Sequence, residues 1–251
     1  MREQGNGYVI DVECRKCGEP MTLDCGADRP KSLVLSLARS VVCDKCSQSA
    51  EQRAAAERHE QEFAARLASS GLERAEVRPW AEFDARTPDG LDRGRVIEAA
   101  REWGRMADPG GLCLIGAVGS GKTALAKAAA VTRLQHSALR WVSLARLVAD
   151  LANFEDRHAR ALAVRVLTGK GALVLDDFDK VNVTDWLASQ LFAAIDGRIE
   201  AGAPLLVTTN LDPGELRAKF GDAIYSRIEG YCRMIELAGP DYRLVNRRAA
   251  A

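Results

Sequence analysis

Between Gly116 and Thr123 the chain reads G-A-V-G-S-G-K-T, a complete G-x-x-x-x-G-K-[ST] pattern. Gly116, Gly119 and Gly121 let a backbone fold around phosphate groups where a β-carbon would obstruct, and Ser120 lies in the same cradle of inward N–H groups. Lys122 supplies a point charge for β- and γ-phosphates, and the Thr123 hydroxyl suits magnesium. The apolar run Leu112 to Ile115 precedes the loop and a helix-forming run follows it, so the helix N-terminus adds its positive dipole end. This predicts a nucleoside triphosphate bound with Mg2+.

Further along, A-L-V-L-D-D from Ala172 to Asp177 describes a buried strand with carboxylates at its C-terminal end, beside the phosphate loop. Asp176 is expected to hold magnesium through water, and Asp177 to orient or deprotonate an attacking water. Taken alone, such an acidic pair is a helix cap or a solvated turn; the upstream loop favours the chemical reading. Asp179 and Lys180 extend the run and are expected at the surface. The run L-L-V-T-T-N ends at Asn210, which has two readings. It reaches the attacking water or the γ-phosphate, or it starts the turn into Asp212-Pro213-Gly214.

The seven cysteines divide by context. Cys14, Cys17, Cys43 and Cys46 form two C-x-x-C knuckles, which suit one tetrahedral zinc in a closed structural site. A redox pair or unrelated thiols are the alternatives. Gly18 provides a tight turn after the first knuckle, and the second lacks such a glycine. Cys113 and Cys232 lie in apolar runs and read as inert core residues, with Cys25 left over. His59, His136 and His158 read as surface residues.

These groups must be held by elements the pattern also shows. Leu112 to Ile115, Arg140 to Ser143, Ala172 to Leu175, Leu205 to Thr208 and Arg233 to Leu237 read as five strands. Helical patterns fall between them at Lys122 to Leu134, Leu144 to Phe154, Ala159 to Leu167 and Thr184 to Glu200. The fold class is therefore α/β, a mostly parallel five-stranded sheet between helices. Ahead of it, residues 1–46 read as a loop-rich zinc-binding module and residues 47–71 as a helical linker with only Phe63 and Leu67 large and apolar; the core occupies 72–251. At 251 residues and 47% hydrophobic, the chain has material for one α/β core plus a small module. Its formal net charge is zero, so any nucleic-acid contact must be a local patch. No apolar run approaches a membrane span and the N-terminus lacks a signal-peptide core, which predicts a cytoplasmic protein with no membrane partner.

In this order the motifs resemble those of AAA+ ATPases, specifically the DnaC/DnaI helicase-loader and IstB branch, over about residues 72–245. The resemblance rests on the loop at 116–123, the Asp-Asp pair ending at Asp177, T-T-N at 208–210, Y-S-R-I-E-G from Tyr225 to Gly230, and G-P-D-Y-R from Gly239 to Arg243. It implies ATP as the nucleotide and ATP hydrolysis as the activity. It makes Asn210 the sensor-one residue, Arg227 an arginine finger offered to a neighbouring subunit, and Arg243 the sensor-two arginine. Either arginine otherwise reads as a surface salt bridge. A finger given in trans implies a homo-oligomer. Relatives place a glycine soon after the acidic pair where this chain reads D-D-F-D-K. The stretch from Val77 to Asp84 resembles the segment that packs near the adenine.

The zinc module resembles the one with which DnaI-type loaders engage the hexameric replicative DNA helicase. The leading expectation is thus a loader that also contacts single-stranded DNA through Arg146, Arg157, Arg160 and Arg165; Phe154, the one aromatic in that segment, reads as a core residue. An IstB-like transposition helper acting on duplex DNA, and a slow ATP-switched adaptor, are the alternatives.

Overall fold

The computed structural model describes residues 2–4, 7–24, 41–72, 77–87, 90–105, 110–153 and 155–242. The chain separates into two compact units, Met1–Glu62 and Phe63–Ala251.

The first unit is not simply loop. Strands β1 (Arg2–Gln4), β2 (Gly7–Glu13) and β3 (Pro20–Asp24) pair antiparallel in that order. The alternation across Val9, Ile10, Asp11 and Val12, too short to stand out in the sequence, places Ile10 inside and Asp11 outside. Helix α1 (Asp44–Ser70) begins here and ends in the second unit. It stops at Gly71, whose φ of 82° is the left-handed C-terminal turn its sequence position suggests. Its last turns are more than a bridge: Phe63 is buried and Leu67 packs with it in the core of the second unit.

That core is built on a parallel sheet of β4 (Gly111–Ile115), β5 (Leu139–Ser143), β6 (Ala172–Asp176), β7 (Leu205–Thr209) and β8 (Cys232–Glu236), in the order β5-β6-β7-β4-β8. Its central strands are buried on both faces, and their side chains alternate between two apolar clusters. Cys113, Leu173, Leu175, Leu205 and Val207 face one; Leu112, Leu114, Val174 and Leu206 face the other. The first cluster is closed by α4 (Leu144–Ala152), α5 (Arg157–Thr168), α6 (Asp185–Glu200) and α7 (Pro213–Tyr231), the second by α2 (Gly94–Gly104) and α3 (Lys122–Leu134). Each central strand is thus covered on both sides, as a sheet of this kind requires, while the edge strands β5 and β8 stay partly exposed.

The ends follow local chemistry. Thr184 caps α6 by accepting from the Leu187 N–H at 3.3 Å, and Asp212 and Glu215 form a reciprocal capping box at the start of α7. Helices α2 and α7 fall outside the sequence expectation. Helix α7 carries Gly214, Gly221 and Gly230, which weaken a helical pattern, and it kinks at Gly221. Cys113 and Cys232 are buried, as expected, and burial pushes the Cys113 thiol up to about 12.

Candidate nucleotide site and cysteine cluster

The phosphate loop joins the end of β4 to the start of α3, at the C-terminal edge of the parallel sheet. Gly119 takes a left-handed φ of 78°, and a β-carbon there would come 1.9 Å from Asp241 Oδ1. Lys122 is nearly buried, and its Nζ donates to Gly116 O, Ala117 O and Asn210 Oδ1, each at 2.8 Å. Burial lowers the ammonium's pKa, opposed by Asp179, Asp177 and Asp176.

The two acids at the end of β6 are held by β7. Thr208 Oγ1 donates to Asp176 Oδ1 at 2.6 Å, and Thr123 Oγ1 donates to the same oxygen at 3.0 Å. Burial nevertheless raises the Asp176 carboxyl above the usual range, against these two donors. Asp177 has φ 53°, the left-handed region that a non-glycine residue rarely enters. Its N–H donates to Thr208 Oγ1 at 3.0 Å and the next N–H, of Phe178, donates to Thr208 O at 2.9 Å. Phe178 is fully buried against Phe220, ring centroids 4.4 Å apart. This anchors the turn after the acid pair. Thr123 and Asp176 form a magnesium-type donor set, a hydroxyl and a carboxylate side by side.

Asp179 corrects the surface expectation. It is half-buried, because the Phe178 anchor swings the turn toward β7; it accepts from Asn210 N at 3.0 Å and Asn210 Nδ2 at 2.9 Å. Lys180 is exposed as expected and pairs with Asp177 at 3.4 Å.

A cleft of about 660 Å³ opens over the loop, within the range of nucleotide-sized pockets. Lys122, Thr123, Asp177 and Asn210 line one side; Arg78, Phe83 and Arg93 line the other. Of these, Arg93 lies in no segment the sequence singles out, whereas Arg78 and Phe83 fall in the stretch from Val77 to Asp84 and Tyr242 in G-P-D-Y-R. Trp80 Nε1 donates to Thr132 Oγ1 at 2.9 Å and so pins the segment that carries Arg78 and Phe83. Arg93 is buried beneath the loop, donating through Nη2 to Ser120 O at 3.2 Å and through Nη1 to Tyr242 OH at 3.0 Å. Tyr242 N–H donates to Gly119 O at 3.0 Å, so the G-P-D-Y segment is tied directly to the phosphate loop. The G-P-D-Y-R run from Gly239 to Arg243, part of the resemblance above, is the sequence signal for it.

Arg227 lies on α7 away from this cleft. It pairs with Asp196 at 2.6 Å and its guanidinium lies over Phe192, 5.5 Å from the ring centroid. Arg243, Phe154 and Cys25 lie outside the described residues. Arg157 and Arg165 are exposed on α5, with Leu162 and Val164 exposed between them, and Arg146 pairs with Asp150 at 3.0 Å. His59, His136 and His158 are exposed.

In the first unit Cys14, Cys17, Cys43 and Cys46 bring their sulfurs within 4.8 Å of one another. The Cys17 and Cys43 sulfurs are 3.7 Å apart, close to the roughly 3.8 Å edge of a tetrahedron with Zn–S bonds of about 2.3 Å. The first knuckle turns at Gly18, φ 76°. The second needs no glycine because Cys46 sits in the first turn of α1, where Ser47 N–H reaches back to Cys43 O at 2.9 Å. Backbone N–H groups of Cys43 and Cys17 lower the Cys14 thiol to about 6, whereas the thiols of Cys17 and Cys43 push Cys46 up to about 12. A crowded set that resists a second negative charge is one that a dication stabilises, and the donors fit zinc.

The family described as IstB-like ATP binding protein matches residues 47–250. The chain belongs to this family. An ATP-binding protein in an insertion sequence of Mycobacterium tuberculosis is 31% identical over 147 residues, which are 55% of this chain and 58% of that protein. The chain thus spans little more than half the length of that relative. Among solved structures, domain III of the Thermotoga maritima replication initiation protein DnaA superposes with a TM-score of 0.59 at 18% identity, covering 72% of this chain and 74% of that one. DnaI gives 0.55 at 22%, covering 68% and 94%, and the DnaC helicase loader 0.54 at 20%, covering 64% and 96%. These establish the AAA+ fold for an IstB-like, ATP-binding chain. No helix among the described residues is long and apolar enough to cross a membrane.

Proposed function

We propose that this IstB-like protein hydrolyses ATP and loads a hexameric replicative helicase onto single-stranded DNA, gripping the helicase through a zinc-bound N-terminal unit. The observation that carries the reading is the closed four-cysteine cluster on a chain that also carries a phosphate loop and its acid pair beside one cleft. A set of four thiols leaves zinc no open position, so the ion stabilises a small docking surface rather than a reaction.

In the ATP site, Lys122 leaves Asn210 and the loop carbonyls for the phosphates. Magnesium, held by Thr123 and Asp176, would neutralise phosphate charge. Asp177, half-exposed in the cleft, takes the proton of a water whose oxygen bonds to the γ-phosphorus as the bond to the bridging oxygen breaks, giving ADP and phosphate. Arg227, released from Asp196 on assembly, stabilises the transferring phosphoryl group of a neighbouring subunit, and Arg243 does so within its own. The exposed Arg157 and Arg165, interleaved with Leu162 and Val164, offer charge and apolar surface to a single strand.

The test is capture of a purified replicative helicase by the zinc-loaded chain. Binding that disappears with Cys14→Ser/Cys17→Ser supports the loader, and absence of binding to the intact protein counts against it. The insertion-sequence relative favours a second reading, a transposition helper that assembles on duplex DNA. ATP-dependent filaments on duplex DNA that stimulate a transposase, with no helicase bound, would select it.

A further inference from the structure

Asn210 lies between two groups that can each take only one part in a hydrogen bond. On one side Asp179 accepts from the Asn210 backbone N–H at 3.0 Å and from Nδ2 at 2.9 Å. On the other, the Lys122 ammonium donates to Asn210 Oδ1 at 2.8 Å. A carboxylate has nothing to donate and an ammonium nothing to accept with, so the amide has one orientation. Asp179 is itself fixed, since its carbonyl accepts from Lys219 Nζ on α7. Burial alone would raise its carboxyl, but the two Asn210 donors outweigh that and hold it below the usual range.

We propose that Asp179 is a positioning residue that turns the Asn210 amide so that its oxygen, and not its N–H, faces the reacting end of the cleft. The inference rests on the hydrolytic reading above. When phosphates draw Lys122 away, the Asn210 oxygen loses its donor while Nδ2 stays bound to Asp179. The cleft then presents two acceptors, Asn210 Oδ1 and the Asp177 carboxylate, both of which line it. A water has two O–H groups to give and one pair of acceptors to receive them, which leaves its lone pair free for phosphorus. Asn210 thereby orients the nucleophile instead of donating to the γ-phosphate. The third acid of D-D-F-D thus acquires a role.

The test uses the full chain, with ATP turnover and ATP affinity measured separately. Asp179→Asn puts a group that both donates and accepts beside Asn210, so the amide can flip. Turnover at saturating ATP falls by about tenfold or more, while ATP affinity changes by less than about twofold and the melting temperature holds. Asn210→Asp sets two carboxylates face to face and lowers turnover likewise. The swap Asp179→Asn/Asn210→Asp restores a single arrangement. The new amide at position 179 donates to one oxygen at position 210 and accepts the backbone N–H, leaving the other oxygen toward Lys122. The swap turns over faster than either single variant. Wild-type turnover in Asp179→Asn, a parallel loss of affinity, or a swap no better than the worse single variant overturns the proposal. Absence of hydrolysis by the wild type, with or without single-stranded DNA, overturns the hydrolytic reading instead and removes this inference with it.

Discussion

Replacing Thr208 by Val tests whether β7 holds the acid pair in place. Val has the shape of Thr without the hydroxyl, and Thr208 is fully buried, so the change acts through two hydrogen bonds. One is the donation to Asp176 Oδ1 at 2.6 Å, a bond to a charged group, worth about 1.5–3 kcal/mol. The other leaves the Asp177 N–H without its acceptor, at about 1–3 kcal/mol. Their lower ends sum to about 2.5 kcal/mol, a large share of a domain stability of about 5–15 kcal/mol. The pH dependence identifies the first bond. Asp176 has its folded pKa above its unfolded one, so its ionisation subtracts stability at neutral pH. That loss vanishes as pH falls below the unfolded value of about 3.9. Thr208→Val removes a donor that favours the carboxylate and raises the folded value further. Its deficit in magnesium-free urea unfolding is therefore largest near neutral pH and narrows toward acid, down to the part owed to the Asp177 N–H. An unchanged urea midpoint refutes the anchoring role altogether; a deficit that stays constant into acid refutes the coupling to an ionised Asp176.

Lys122→Ala removes ATP binding measured by calorimetry while leaving the circular dichroism spectrum intact. Gly119→Ala forces a β-carbon onto Asp241 in a left-handed turn, so it frees the segment around Tyr242 and increases hydrogen exchange there. Arg93→Ala removes the tie between Ser120 and Tyr242, and it weakens ATP binding and exposes the same segment to exchange. Cys14→Ser lowers the zinc content of purified protein from about one per chain to none by elemental analysis; retained zinc would show that the cluster is not one site.

The strands of the core were legible because each is a short apolar run, and Leu112 to Ile115, buried on both faces, needs no polar alternation to be recognised. Helices α2 and α7 were not, for opposite reasons. Gly94 and Gly104 bound α2 so closely that its buried face spans only Val96 to Gly104, and the glycines of α7 mask a helix whose burial is supplied by Leu216, Phe220, Ile224 and Ile228. The first unit reads as loop because its strands are short and, among the described residues, paired only with one another.

In the site, the residues that would touch ATP carry a motif whose type and spacing state their role, and the residues that hold them do not show theirs. The loop, Asp176 and Asp177 are recognisable because phosphate and metal chemistry constrains type and spacing along a few consecutive residues. Thr208, Asp179, Arg93 and Tyr242 are constrained by neighbours that the sheet order brings together. Thr208 meets Asp176 because β7 pairs with β6, and Tyr242 meets Gly119 because the chain leaves β8, the partner of β4, beside the phosphate loop. Asp179 shows how misleading local reading becomes there. In sequence it is one acid in a polar run; in the fold, the burial of Phe178 beside it turns its carboxylate onto Asn210. Charge in a run is expected to be solvated, and it is the buried aromatic next to the acid, not the acid itself, that signals otherwise.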